Sequence, residues 1–394
     1  VKPFYNYLNQ GMLKRSISGF CRFMSIISKA QLNQCQRLLF ISPVALGDFL
    51  YLKTFLIALK NSYPHIELDI WLDDNRCNTD SWRLSRSKIL QQWIEAEGVF
   101  NLSYGCTDSK EATQAHIDLA KQRNYDIIIC HSVSKSRQYS QIARTVSPEA
   151  FIVSSIPKSA SFGFFNAIAF RHSNHTFVLD ENNLPKAHHI TDRYNNIFQS
   201  IVGISLQNDA LMPTLIVPQE IAPITENWLT EKFKQPGKQG KLIFLNHLST
   251  NIKKDWLLSQ LFELIEKIAS TDDSCRFIIN VTKENYDSVL AQTESFVKQK
   301  NLQVAVFTVN EHFFELPSLI AKADFVITVD TAILHFAFAA KRPLLSMMRQ
   351  KKPYWAPPES SHSHVLYATE GKGHISDISV ERVFKQYETM NSDR

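Results

Sequence analysis

Three short stretches bring acids, hydroxyls and cations to places where a strand-like run hands over to a helix-like one. In "SPVALGD" (42–48), Gly47 permits a tight backbone approach and Asp48 opens an amphipathic run. An Asp at a helix start is a favoured cap, because its carboxylate accepts from open amides and suits the positive end of the helix dipole. A carboxylate at the mouth of a cleft can equally act as general base on a hydroxyl, and spacing alone leaves both roles open. In "NHLSTNIKKDW" (246–256), Ser249 and Thr250 precede Lys253 and Lys254. Hydroxyls, amides and an ammonium converging at a helix start fit a phosphate or diphosphate; a solvated loop with a hydroxyl cap is the plainer alternative. In "VDTAILHFA" (329–337), Asp330 and Thr331 end an apolar strand, and His335 follows Thr331 by one helical turn on the same face. There the amides of Thr331, Ala332 and Ile333 would point at an anion, unless Thr331 is only a cap and His335 a satisfied core histidine.

Further cations stand near the same turns. "HHITDR" sets His189 and Arg193 four apart on one helix, and "HSVSKSR" offers Lys135 and Arg137 after a strand. Each pair could face an anionic acceptor or simply decorate the surface. Asp73 and Asp74 make no D-x-D clamp and no H-x-x-x-H cluster occurs, so no tightly bound metal is expected. The chain lacks G-x-G-x-x-G, a Walker loop and G-x-S-x-G, which disfavours nicotinamide, flavin and serine-hydrolase chemistry.

The elements that must carry these turns alternate short apolar runs with longer amphipathic ones. Strands are expected at 37–42, 67–72 and 125–132 with helices at 48–62 and 188–203; no clean period appears between 155 and 190. The second half is more regular, with strands at 241–247, 276–281, 303–309, 324–329 and 343–348 separated by helices. That alternation implies right-handed crossovers and parallel sheets. Proline and glycine between 206 and 240 mark a boundary. The expected organisation is a basic arm (1–36), a Rossmann-like domain (37–215), a second such domain (216–378) and a closing helix (379–394) that crosses back to the first. Ligands in doubly wound sheets sit at the carboxyl ends of the strands, where all three turns fall.

Bulk properties narrow the classes. Of the net charge of +5, residues 1–47 hold six cations and no acid, so the remainder sums to −1. A nucleic-acid groove over the domains is therefore disfavoured. Six scattered cysteines without C-x-x-C point to reduced thiols and a cytoplasmic setting. No apolar run approaches the roughly 20 residues that span a bilayer. The arm "MLKRSISGFCRFMSIISKA" reads as a surface helix, a contact with an anionic membrane surface, or a transit peptide.

Taken in order, the turns resemble a known family. "LLFISPVALGDFLYLKTFLIALKNSYPHIELDIWL" is similar to the opening of family 9 glycosyltransferases, the ADP-heptose:lipopolysaccharide heptosyltransferases, with their S-x-x-G-D turn. "STNIKKDW" resembles the loop ending in K-x-W-P, with Leu257 in place of the proline. "ADFVITVDTAILHFAFAAKRPLL" resembles A-D-x-x-I-x-x-D-T-G-x-x-H-x-A-A-x-x-x-P, with Ala332 in place of glycine, and "YWAPPES" resembles the family's tail. Cys130 stands where an acid often follows the strand, and 309–320 lacks the usual small apolar loop near the base.

The resemblance implies a GT-B architecture, an α/β fold of two Rossmann-like domains facing a cleft, with the acceptor on the first and the nucleotide sugar on the second. It implies Asp48 as the base of an inverting, metal-independent transfer. Ser249, Thr250, Lys254, Asp330, Thr331 and Ala332 would hold the donor diphosphate, and Glu284, Ile333 and His335 its nucleoside or sugar. Lys135, Arg137, His189 and Arg193 would meet a lipid-linked oligosaccharide acceptor at the inner face of the cytoplasmic membrane. No cofactor is implied beyond the ADP-sugar substrate. A nucleotide-sugar epimerase on the same scaffold, or a non-catalytic sugar-nucleotide or glycolipid binding protein, also fits the turns.

Overall fold

Two six-stranded parallel sheets form the frame, built from runs of Val, Ile, Leu and Phe buried on both faces. The structure, a computed structural model, describes residues 25–392 apart from 74–76, 133, 158–162, 180–183, 185–187, 235–239, 301, 350–352 and 369–372. The first unit runs α1 (Lys29–Gln34), β1 (Arg37–Ser42), α2 (Leu46–Ser62), β2 (Glu67–Leu72), α3 (Ser81–Glu97), β3 (Leu102–Tyr104), α4 (Lys110–Lys121) and β4 (Ile127–Cys130). It continues with α5 (Ser136–Val146), β5 (Phe151–Pro157), α6 (Gly163–Ala169), β6 (His175–Leu179) and α7 (Ile190–Val202). The second unit runs α8 (Ile221–Lys232), β7 (Leu242–Asn246), α9 (Leu258–Thr271), β8 (Arg276–Asn280), α10 (Lys283–Lys300) and β9 (Gln303–Phe307). Then come α11 (Glu315–Lys322), β10 (Phe325–Val329), α12 (Ala332–Ala339), β11 (Leu344–Met348), β12 (Ser363–Tyr367) and α13 (Val380–Ser392).

Both sheets have one topology. The strand orders β3-β2-β1-β4-β5-β6 and β9-β8-β7-β10-β11-β12 are doubly wound, and each reverses direction after its third strand, with the fourth laid beside the first. The reversal leaves a crevice at the carboxyl ends of β1 and β4 in one sheet, and of β7 and β10 in the other. Asp48 follows β1 and Asp330 follows β10, so both acids stand at crevices.

Helix α2 explains how the units meet. Phe49, Leu50, Tyr51, Leu52, Phe55, Leu56 and Leu59 are all buried, more than one face of a surface helix would supply. The helix packs on its own sheet, on α7 and on α12 of the second unit. Even Lys53 is inside, paired at 2.6 Å with Glu97, which also accepts from Trp93 Nε1 at 2.8 Å. Trp93 in turn packs on Phe313 and Phe336 of the second unit, with ring centroids 5.4 and 5.6 Å away.

Three expectations need correction. Of the basic arm, residues 1–24 lie outside the described residues, while 25–36 belong to the first unit: Ile27, Leu32 and Cys35 are buried, and the amides of Ile26 and Ile27 donate to Ser200 and Ile201 of α7. Apolar side chains in that stretch outweigh its charge. The interval 155–190 is not irregular throughout, since it holds α6 and β6, and β6 pairs in parallel with β5. The closing helix does not cross back. Val380, Val383, Tyr387 and Met390 of α13 pack on α9 and Phe325, all in the second unit, because its apolar stripe matches the exposed side of that layer. No helix among the described residues is long and apolar enough to cross a membrane.

Candidate active site

Asp48 is the third residue of α2 rather than its cap. The cap position is Ala45, whose amide donates to the Asp48 carboxylate at 3.4 Å, the long end of hydrogen bonding. A methyl side chain offers no acceptor, so only the half of a capping box that runs from the Ala45 amide to the Asp48 carboxylate can form. It lines a pocket of about 350 Å³ at the β1/β4 crevice together with Ser42, His131, Arg193 and Tyr194. Tyr354 and Trp355, carried by the second unit, supply another wall of that pocket. The pocket is electrostatically coupled: burial first, then the Asp48 charge, pushes the Tyr194 phenol well above its ordinary range. Burial and the Arg193 guanidinium push His131 down to about 4, so its imidazole is neutral near pH 7.

At the second crevice, Lys254 and Asp330 form an ion pair at 2.6 Å, with side chains 36% and 19% exposed. Thr331 caps α12 by accepting from the Ile333 amide at 3.3 Å. It is held by Asn246 Nδ2, which donates to Thr331 Oγ1 at 3.3 Å and to Thr328 Oγ1 at 3.1 Å, while Asn280 Nδ2 donates to Asn246 Oδ1 at 3.1 Å. This buried polar ladder across β8, β7 and β10 was not singled out from sequence; an Asn ending each of two apolar strands was its signal.

Ser249 is engaged within its loop: its hydroxyl donates to the Asn251 carbonyl at 2.9 Å, and its amide donates to Asp255 at 2.6 Å. Thr250 is exposed at the loop's tip, and Ala332 is half-buried at the first position of α12. Trp256 anchors the loop, buried and donating from Nε1 to the Ile378 carbonyl at 3.0 Å. Glu284 is exposed in the first turn of α10, its carboxyl held below the usual range by its own amide and the Thr282 hydroxyl.

The structure relocates several expected contacts. Ile333 and His335 are buried in the seam between units and do not face the cleft. His335 Nδ1 lies 2.9 Å from Tyr51 Oη, and a Cβ built on Gly47 would come within 2.9 Å of the His335 ring. Gly47 therefore serves the close approach of α12 to α2. His189 is the cap of α7, taking the Thr191 amide on Nδ1 at 3.5 Å, so it precedes the helix on which Arg193 lies. Lys135 faces Asp73 at 3.7 Å, and Arg137 is exposed on α5; neither lines the pocket, whereas Arg193 does and stacks on Tyr354 with 4.7 Å to the ring centre. The 309–320 segment also has a structural use: Glu315 accepts from the amides of Asn310, Glu311 and His312, shaping a turn that presses Phe313 onto Trp93.

The two crevices are near neighbours. Burial, then the charges of His189 and Lys254, push His335 down to about 3, so the histidine packed on Gly47 also feels the ammonium of the second crevice. An acid, a polar pocket and a cationic hydroxyl-bearing helix start thus converge on one seam.

The glycosyltransferase family 9 (heptosyltransferase) profile matches residues 146–385, more than half the chain. The chain belongs to that family. No curated protein matches the sequence. Solved structures do match over nearly the whole length of this family 9 glycosyltransferase. A family 9 enzyme from Veillonella parvula is similar with a TM-score of 0.69 at 16% identity, over 91% of this chain and 98% of that one. E. coli ADP-heptose lps heptosyltransferase II gives 0.64 at 16%, over 91% and 99%. E. coli heptosyltransferase WaaC, solved with ADP-2-deoxy-2-fluoro heptose, gives 0.59 at 17%, over 90% and 99%. At such identities the likeness is one of fold, and the fold of this glycosyltransferase is GT-B.

Proposed function

We propose that this glycosyltransferase moves a heptose from ADP-heptose to a sugar of a lipopolysaccharide core, with inversion at the anomeric carbon. The observation that carries the reading is the pairing of crevices. Asp48 lines the first-unit pocket, Lys254, Asp330 and Thr331 gather in the second unit, and the helices that follow the two turns touch at Gly47 and His335.

In this reading Asp48 takes the proton from an acceptor hydroxyl as its oxygen attacks the anomeric carbon from the face opposite the diphosphate. The bond from that carbon to the phosphate oxygen breaks, and the nucleotide diphosphate leaves with the electron pair. The Lys254 ammonium, the Thr331 hydroxyl and the amide of Ala332 take up the charge, acting as preorganised electrostatic stabilisers. The incoming diphosphate replaces Asp330 beside Lys254, and Ser249 and Thr250 close over it. Glu284 faces the nucleoside. Arg193 meets the acceptor, which is lipid-linked and reached at the inner face of the membrane.

Thermal-shift measurements with ADP, UDP, GDP and CMP test the donor. Preferential stabilisation by ADP is expected, following mass action. Mass spectrometry of the protein with ADP-heptose and a core acceptor then reads transfer directly. A preference for UDP, or donor binding with no transfer to any core acceptor, would overturn the assignment.

A further inference from the structure

The floor of the Asp48 pocket holds two polar atoms that the fold does not use. Ser42 ends β1 with its residue fully buried, and His131 follows β4, donating its amide to the Ile41 carbonyl at 2.8 Å. Ser42 Oγ and His131 Nδ1 are both buried, and neither has a hydrogen-bond partner among the described residues. Leaving a donor or acceptor buried and unmet costs on the order of 1–3 kcal/mol, so two neighbouring cases at a topological switch point call for an occupant.

The rest of the pocket says what kind. Trp355 and Tyr194 present aromatic surface, which suits the C–H face of a sugar ring, and Asp48 and Arg193 offer polar groups around it. A neutral imidazole and a hydroxyl can each donate or accept, which matches hydroxyl groups rather than a second cation or anion.

We propose that Ser42 and His131 bind adjacent hydroxyls of the acceptor sugar and so select which ring hydroxyl is presented to Asp48. The inference rests on the transferase reading only in calling that sugar the acceptor. Both residues act by orientation, holding the ring so that one oxygen faces the carboxylate.

The test is saturation-transfer NMR and calorimetry on the full chain with deacylated core oligosaccharide and with methyl mannoside, glucoside and galactoside. The wild type is expected to bind at least one of these. Ser42→Ala and His131→Phe should each weaken that binding by about fivefold or more, the scale of a lost hydrogen bond. Because Ser42 Oγ and His131 Nδ1 have no partner among the described residues, Tm should hold or rise in both variants, whereas a structural role would lower it. Shift by ADP should be unchanged. Retained sugar affinity in both variants, or no binding of any probe to the wild type, would overturn the proposal. Loss of the ADP response in the wild type would instead strike the donor reading, leaving the sugar result to stand by itself.

Discussion

Tyr51 and His335 join the two units through a contact of 2.9 Å between the phenol oxygen and imidazole Nδ1, with the rings edge to face at 5.3 Å. Burial pushes the phenol up and the imidazole down to about 3, so both partners are neutral and share one hydrogen bond whose donor is set by the imidazole tautomer. This neutral hydrogen bond lies one helical turn from Asp48 on α2 and one turn from Thr331 on α12. It ties the two halves of the site together.

Gly47→Ala should disrupt that junction. The added methyl would meet the His335 ring at 2.9 Å, and the ring is packed on Tyr51 and Trp355. Overpacking of this kind costs about 1–3 kcal/mol. Denaturant unfolding of Gly47→Ala, His335→Ala and the double variant checks it: the double variant should be less destabilised than the sum of the singles.

Stability should fall in mild acid. His131, His189 and His335 are held near 4, 4 and 3, mainly by burial, against 6.5 for an ordinary histidine. Below pH 6.5 the unfolded chain therefore binds protons that the folded chain refuses. Tm should be flat above that point and drop as pH falls toward 4. His335→Gln should shallow the acid limb by about 1.4 kcal/mol per pH unit in unfolding free energy. An unchanged limb would contradict the buried neutral imidazole.

Asp48→Asn should fold normally and lose at least ~100-fold in turnover, the scale of general-base catalysis. The Ala45 amide reaches the carboxylate only at 3.4 Å, and asparagine keeps an oxygen that can accept it. Steady-state rates alongside circular dichroism separate the two. Near-wild-type turnover would remove Asp48 as the base.

Lys254→Ala should raise the donor KM and abolish most of the ADP-induced thermal shift. The ion pair with Asp330 is partly exposed, so its loss should change the unfolding free energy little, by about 0–1 kcal/mol. Asp330→Asn separates a positioning role from charge neutralisation, because it frees the ammonium while keeping the side chain's shape. Titrations with ADP on both variants read the difference.

Strand-to-helix turns were the legible part of this chain. β1 and β2 begin and end where their apolar runs do, at 37–42 and 67–72, because a strand buried on both faces leaves an unbroken signature. Strands β7 to β11 of the second unit were equally plain, whereas the edge strand β12 was not among those expected. Between 155 and 190 the pattern failed, since β6 is a half-exposed edge strand with no alternation to read. α13 could not be assigned to a unit because an amphipathic stripe states that a partner exists without naming it. Among site residues, Asp48, Lys254, Asp330 and Thr331 stand at crevices as their positions implied. His335 and His189 were misplaced because burial against Tyr51, a residue 284 positions from His335, is invisible to local spacing.

The missing side chain at Gly47 has a mechanical meaning. With α2 and α12 in contact there, the fulcrum for any rocking of the lobes sits beside the carboxylate, and the lever arm to the reacting atoms is short. Rotation about that point would displace the outer rim more than Asp48 and the α12 amino end.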